Sequence, residues 1–271
     1  MRPPFEEAFP RPSVIGVVNV TPDSFSDGGA FLDPGQAVAQ ARRLLDEGAA
    51  LVDLGGESTR PGSEGVTAEE ELRRVEPVLE GLAGLPVSID TSKAEVARRA
   101  LELGAVLVND VTALRADPDL AGVVGDAGAY LCLMHMLGEP RTMQDDPRYG
   151  DVVGEVASFL EERLGAAMAA GIPEDRICLD PGIGFGKTVE HNLELLARMG
   201  ELVAIGRPIL VGASRKRFLG RILGDQEAVT GPVAAGVAIN VLAYERGASL
   251  FRVHDVRENA EALAAARSVV A

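Results

Sequence analysis

Ile177-Cys178-Leu179-Asp180-Pro181-Gly182-Ile183-Gly184-Phe185-Gly186-Lys187 is a short apolar run that ends abruptly on a carboxylate. Such a run reads as a buried parallel strand that delivers one charged group to its C-terminal edge. Pro181 stops the strand, and the glycines beyond it let backbone N–H groups come close to a ligand. The same design recurs at Val17-Val18-Asn19, Leu51-Val52-Asp53, Ser88-Ile89-Asp90, Leu107-Val108-Asn109, Leu133-Met134-His135 and Phe251-Arg252-Val253-His254. An eighth run, Ile209-Leu210-Val211, leads into Ser214-Arg215-Lys216. Any one of these polar ends reads best as a helix N-cap. Eight in series read as the rim of one site.

Between the runs lie helical patterns. Strands are expected at 13–18, 50–53, 86–90, 105–109, 129–134, 176–180, 208–212 and 250–253, and helices at 34–47, 67–82, 117–125, 149–170, 190–199, 231–246 and 256–270. A further helix, capped by Thr91 or Ser92, is expected to run to Leu103, and a short one to open at Ser214-Arg215-Lys216-Arg217. Thr67 with Glu70 three residues on reads as a capping box. Alternation with about 30 residues per unit predicts parallel strands with right-handed crossovers. Eight units predict an α/β fold, a TIM-like (β/α)8 barrel of eight parallel strands with outer helices and its polar strand ends at one face. Residues 1–12 read as an N-terminal arm and 13–271 as a single catalytic domain, a normal length for such a barrel.

Composition narrows the function classes. The formal net charge of −15 argues against a nucleic-acid or anionic-membrane surface and requires a locally basic pocket for any anionic substrate. No run approaches the length of about 20 residues needed to span a membrane. Cys132 and Cys178 each sit inside an apolar run and read as buried reduced thiols, which points to the cytoplasm. Of 26 basic Lys and Arg residues only Lys93, Lys187 and Lys216 are lysines, and each follows a strand end. Lys216 reads as a position that needs a compact ammonium; Lys93 and Lys187 are left open.

Gly182 to Lys187 fits neither the dinucleotide fingerprint nor the P-loop, because the glycine spacing fails both. What remains is a rigid acidic strand end beside a tight loop. Asp90, Asn109 and Asp180, from the third, fourth and sixth strands, can converge in a barrel. Two carboxylates and an amide are complementary to a flat heterocycle with amino-pyrimidinone edges. Lys216 can supply a cation and a donor to a ring carbonyl or nitrogen. Arg252 and His254 point to the same side of their strand and, with Asn19, Thr59 and Arg60, suit an anion such as diphosphate. Asn19 is a candidate Mg2+ ligand, since that ion is often held by one or two protein oxygens and substrate phosphates.

Asn19 to Gly29 and Gly55 to Gly62 closely resemble segments of the dihydropteroate synthase family, the folate-pathway enzymes targeted by sulfonamides. Ser88-Ile89-Asp90-Thr91-Ser92-Lys93, Val108-Asn109-Asp110, Leu133-Met134-His135-Met136, Leu179 to Lys187, Gly212 to Lys216 and Arg252-Val253-His254-Asp255 match the family's motifs in order. The resemblance implies a transferase that joins 6-hydroxymethyl-7,8-dihydropterin diphosphate to p-aminobenzoate and releases diphosphate, by a dissociative route. It implies that Asp90, Asn109, Asp180 and Lys216 hold the pterin, with Met136 and Phe185 near its ring and Ser214 among the substrate contacts. It implies that Thr59, Arg252 and His254 bind diphosphate, that Asn19 contacts Mg2+, and that Phe25 and Pro61 line the p-aminobenzoate pocket. Asp90, Lys216, Arg252 and His254 are the expected catalytic set, in a homodimer. The competing classes are a pterin-binding module of the methyltetrahydrofolate–corrinoid methyltransferase type, which has no use for a diphosphate clamp, and a phosphosugar barrel, which the acids on strands three and six disfavour.

Overall fold

The computed structural model describes residues 2–21, 33–59 and 63–270. Its strands are β1 (Ser13–Asn19), β2 (Leu51–Gly55), β3 (Val87–Asp90), β4 (Leu107–Asp110), β5 (Tyr130–Met134), β6 (Ile177–Asp180), β7 (Leu210–Val211) and β8 (Leu250–Val253). All pair in parallel in the order β6-β5-β4-β3-β2-β1-β8-β7. A bridge between Leu179 and Ile209 joins β6 to β7 and closes the barrel. β7 is shorter than the sequence pattern suggests, in part because Pro208 has no N–H; its carbonyl accepts from Leu179 instead, at 2.9 Å. Strands buried on both faces explain the continuous apolar runs.

The helices follow the strands. α2 (Pro34–Asp46) opens with Asp33 accepting from the Gly35 N–H and buries Ala37, Ala41 and Leu44, one helical stripe. That stripe lies on β1 so closely that a Cβ at Gly16 would meet Leu44 at 3.0 Å. α3 (Ala68–Gly81) is capped by the Thr67 hydroxyl, but the box is only half made. The Glu70 carboxylate turns instead to Arg73 and Arg74, at 2.7 Å each. α4 (Ala94–Glu102) has neither expected cap: Asp117, from the loop after β4, accepts from the Ala94 N–H at 2.8 Å.

The remaining helices are α5 (Leu120–Asp126), α6 (Val152–Ala169), α7 (Val189–Ala197), α8 (Met199–Val203), α9 (Arg217–Ile222), α10 (Val233–Glu245) and α11 (Val256–Val270).

The amino-terminal arm contains a short helix, α1 (Phe5–Ala8), that the proline-rich sequence did not suggest. Phe5 is fully buried and packs with Phe9 against Tyr130, at ring-centroid distances of 5.2 and 5.3 Å. Their cluster includes Leu51, Leu107, Leu210 and Leu250, the first residues of four strands. The arm therefore plugs the barrel at the N-terminal mouth, opposite the polar rim. Cys132 and Cys178 belong to this cluster as buried free thiols, side by side in register.

Candidate functional site

The register places Asn19, Gly55, Asp90 and Asn109 in one row across β1 to β4. Gly55 adds no side chain to that row, so Asn19 and Asp90 flank an opening. A cavity of about 430 Å3, counting the space open to solvent at its mouth, lies at this end of the barrel. Asp90, Asn109, Asp180 and Lys216 all line it, as the strand-end pattern predicts. So do Thr59, Phe185, Ser214, Arg252 and His254.

Asp53 organises the floor. It is 1% exposed and accepts from Ser88 Oγ at 2.6 Å, Asn109 Nδ2 at 3.0 Å and Arg252 Nε at 2.6 Å. The Asn109 amide is thereby oriented, and its Oδ1 is buried without a hydrogen-bond partner. In a cavity wall such an acceptor calls for a ligand N–H. Sequence reasoning noted Asp53 as one more strand end but gave it no role; the available signal was Ser88 beside it on the next strand.

Arg252 also donates to Asp90, at 2.7 Å. Burial pushes the Asp90 carboxyl up to about 7, opposed by the Arg252 charge and reinforced by Asp53. Burial likewise raises Asp180, with Lys216 opposing. Burial lowers Lys216 to about 7, with Asp180 opposing. The cavity thus holds acids and a base whose charges are only partly compensated, ready for a ligand with its own donors and acceptors.

Local backbone aims these groups. Asp180 accepts from the Gly182 N–H at 2.7 Å, and a Cβ at Gly182 would collide with the His135 carbonyl oxygen. Arg215 takes a left-handed conformation, φ 57°, and pairs with Asp255, so Ser214 and Lys216 on either side both reach the cavity. The Lys216 ammonium lies 4.4 Å from the Phe185 ring centroid and donates to the Ile183 carbonyl. Ser214 Oγ accepts from the His254 N–H and meets His254 Nδ1, both at 3.2 Å. Met134 lines the cavity, while Met136 lies behind it in a buried cluster with Val111, Met134 and Met143, against which Phe185 packs. Asp110, also at the rim, is structural: it accepts from the Thr112 and Leu114 N–H groups.

Asn19 ends β1 at the row's edge, with its Oδ1 3.4 Å from where a Gly55 Cβ would stand. Among the described residues no group of three or more His, Cys, Asp or Glu could hold a metal. Among the described residues the fit for Mg2+ is a single hard oxygen, Asn19 Oδ1, beside the cavity. Phe25, Arg60 and Pro61 lie outside the described residues.

The profile described as pterin binding enzyme matches residues 15–254. The dihydropteroate synthase of Neisseria meningitidis serogroup C is 47% identical over 269 residues, covering 96% of this chain and 94% of its own. The solved dihydropteroate synthase of Xanthomonas albilineans with 4-aminobenzoic acid is 49% identical with a TM-score of 0.88, covering 97% of this chain and 94% of its own. That of Yersinia pestis in a sulfonamide drug complex is 44% identical with a TM-score of 0.88, covering 96% and 94%.

Proposed function

The chain belongs to the dihydropteroate synthase family of pterin-binding enzymes, and from that premise we propose how its residues divide the work. It is a transferase of folate biosynthesis and condenses 6-hydroxymethyl-7,8-dihydropterin diphosphate with p-aminobenzoate to give 7,8-dihydropteroate and diphosphate. The corrinoid-type alternative is not favoured, because relatives that match almost end to end are synthases.

Asp90, Asn109, Asp180 and Lys216 hold the pterin edge. The single observation that carries this assignment is the orphaned Asn109 acceptor in a wall shared with two buried carboxylates and an ammonium. Asp90 would also stabilise positive charge developing on the pterin methylene, a role supported by its place in the cavity wall. The methylene C–O bond breaks with its electron pair leaving on diphosphate, and the aniline lone pair forms the new C–N bond. The displaced N–H proton passes to solvent or the leaving group. An aniline nitrogen is nucleophilic while neutral, so positioning and charge stabilisation matter more than a strong base.

Thr59, Ser214, Arg252 and His254 form the diphosphate side, with Arg60 expected beside Thr59. Two guanidinium nitrogens of Arg252 are already on carboxylates, so it joins the pterin and diphosphate sides rather than serving the anion alone. Mg2+ would be held by Asn19 Oδ1 and the substrate's own oxygens, and its chemistry would be charge neutralisation on diphosphate. Phe25 and Pro61 are retained as the p-aminobenzoate wall, and Met136 as a support of the ring side.

Residues 13–271 act as one catalytic domain in the cytoplasm, a reading supported by the two free buried thiols. A homodimer is supported by α10, which packs on α7, is apolar around its whole circumference and leaves Val233 and Leu242 exposed. Among the described residues no helix is long and apolar enough to cross a membrane. A product assay with the pterin diphosphate and p-aminobenzoate tests the assignment: dihydropteroate and diphosphate should appear in equal amounts, and their absence overturns it.

A further inference from the structure

Four consecutive peptide carbonyls, those of Ile183, Gly184, Phe185 and Gly186, each accept a hydrogen bond from a side chain. The donors come from four places in the chain: Lys216 Nζ, Gln144 Nε2 at 2.6 Å, Lys187 Nζ at 3.0 Å and Tyr149 Oη at 2.8 Å. Asn192 Oδ1 takes the Gly184 N–H at 2.6 Å. With φ of 65°, 84° and 62° at Gly182, Gly184 and Gly186, this loop cannot form a regular ladder, and side chains take the ladder's place.

Lys187 is the least expected member. It is 3% exposed, does not line the cavity, and touches a carbonyl and His135 Nδ1, the latter at 2.8 Å. Burial drives the Lys187 amine far below the usual lysine range, and burial holds His135 down at about 2, so His135 stays neutral and can accept. His135 is itself fixed: its backbone N–H donates to the Asp180 backbone carbonyl at 2.9 Å and its ring sits edge-on to Phe159 at 4.9 Å. A buried amine is costly, and an apolar side chain would fill the same space without that cost. The position of the loop that Lys187 braces decides where the Phe185 ring stands, and the Lys216 ammonium rests on that ring.

We propose that Lys187, braced by His135, is a positioning residue for the pterin: it holds the Phe185 carbonyl and so sets the Phe185 ring and the Lys216 ammonium against the heterocycle. This rests on the pterin reading of the cavity given above.

Lys187→Met keeps length and bulk but removes the donor. The folded variant should keep its Tm or gain, since a desolvated amine is gone. Its KM for the pterin diphosphate should rise roughly tenfold, as for the loss of one hydrogen bond's worth of order, with kcat reduced less and the KM for p-aminobenzoate unchanged. In the ligand-free protein the methyl NMR signals of Met134, Met136 and Met143, which pack with Phe185, should shift or broaden. A lysine that only supports the fold would lower Tm and leave these readouts at their wild-type values. Wild-type KM together with wild-type methyl signals overturns the proposal. Should Lys187→Met not fold, Tyr149→Phe removes the neighbouring tie; a selective rise in pterin KM supports the brace, and an unchanged KM overturns it. A failure of the pterin reading itself would show differently, as wild-type protein that binds no dihydropterin while the methyl shifts of Lys187→Met persist.

Discussion

The guanidinium of Arg252 spans two carboxylates from neighbouring strands, donating through Nε to Asp53 at 2.6 Å and through Nη2 to Asp90 at 2.7 Å. A cation between two acids offsets their mutual repulsion, and the acids in turn hold the Arg252 charge against its burial. Arg252→Ala is therefore expected to weaken bare dihydropterin as well as its diphosphate, because Asp90 would lose its partner and protonate more readily. Calorimetry with both ligands checks this. Full affinity for bare pterin, with loss only for the diphosphate, would make Arg252 a plain anion clamp. Arg252→Lys keeps the charge but cannot span both acids, so its affinity should fall between the two.

Asp53→Asn should act without touching a ligand, since Asp53 does not line the cavity. The change leaves a buried guanidinium with one carboxylate in place of two and gives Asn109 a partner that can turn the wrong way. A stability loss of about 1–3 kcal/mol is expected from urea unfolding. The pterin KM should rise more than kcat falls, because the Asn109 acceptor is no longer aimed. Stability loss with an unchanged KM would reduce Asp53 to a purely structural hub.

Asp90, Asn109, Asp180, Lys216, Arg252 and His254 were legible in the sequence because parallel strands of a barrel deliver their C-terminal ends to one rim. Register then brings Asn19, Gly55, Asp90 and Asn109 into one row. The partners of Asp53 were not legible: they stand 35, 56 and 199 residues away, and periodicity gives a side chain's face but not the atom it meets. The caps misled for a related reason. Thr91 and Ser92 have the right chemistry for α4, but Asp117 reaches its N-terminus from another loop. Residues 2–12 hid their plug because two phenylalanines among prolines and charges show no period.

That plug gives a prediction separate from the site. Phe5 is fully buried, and no member of its cluster lines the cavity. Phe5→Ala should cost about 3–5 kcal/mol of stability, the range for emptying a buried aromatic site. Thermal unfolding should show the loss, while KM for both substrates at a temperature below the transition stays at its wild-type value. A changed pterin KM would mean that the floor of the barrel couples to its rim.

The last expectation is for pH. Binding through the pterin edge needs Asp90 ionised and Lys216 protonated, and burial moves both groups the wrong way, to about 7 each. The signs follow from those directions. Asp90, raised above its ordinary value, contributes stability that is present in acid and lost as pH climbs through about 7. Lys216, depressed, contributes stability present in strong base and lost as pH falls through about 7. In the ligand-free enzyme the competent pair is thus a minority that peaks where the two titrations cross. The kcat/KM for the pterin diphosphate should be a narrow bell, with Asp90 setting the acid limb and Lys216 the alkaline limb. Lys216→Arg, whose guanidinium keeps its proton, should move the alkaline limb upward and leave the acid limb in place. Asp90→Asn should flatten the acid limb of whatever activity remains. A wild-type kcat/KM that is level between about pH 6 and about pH 8 would show that these two groups do not gate binding.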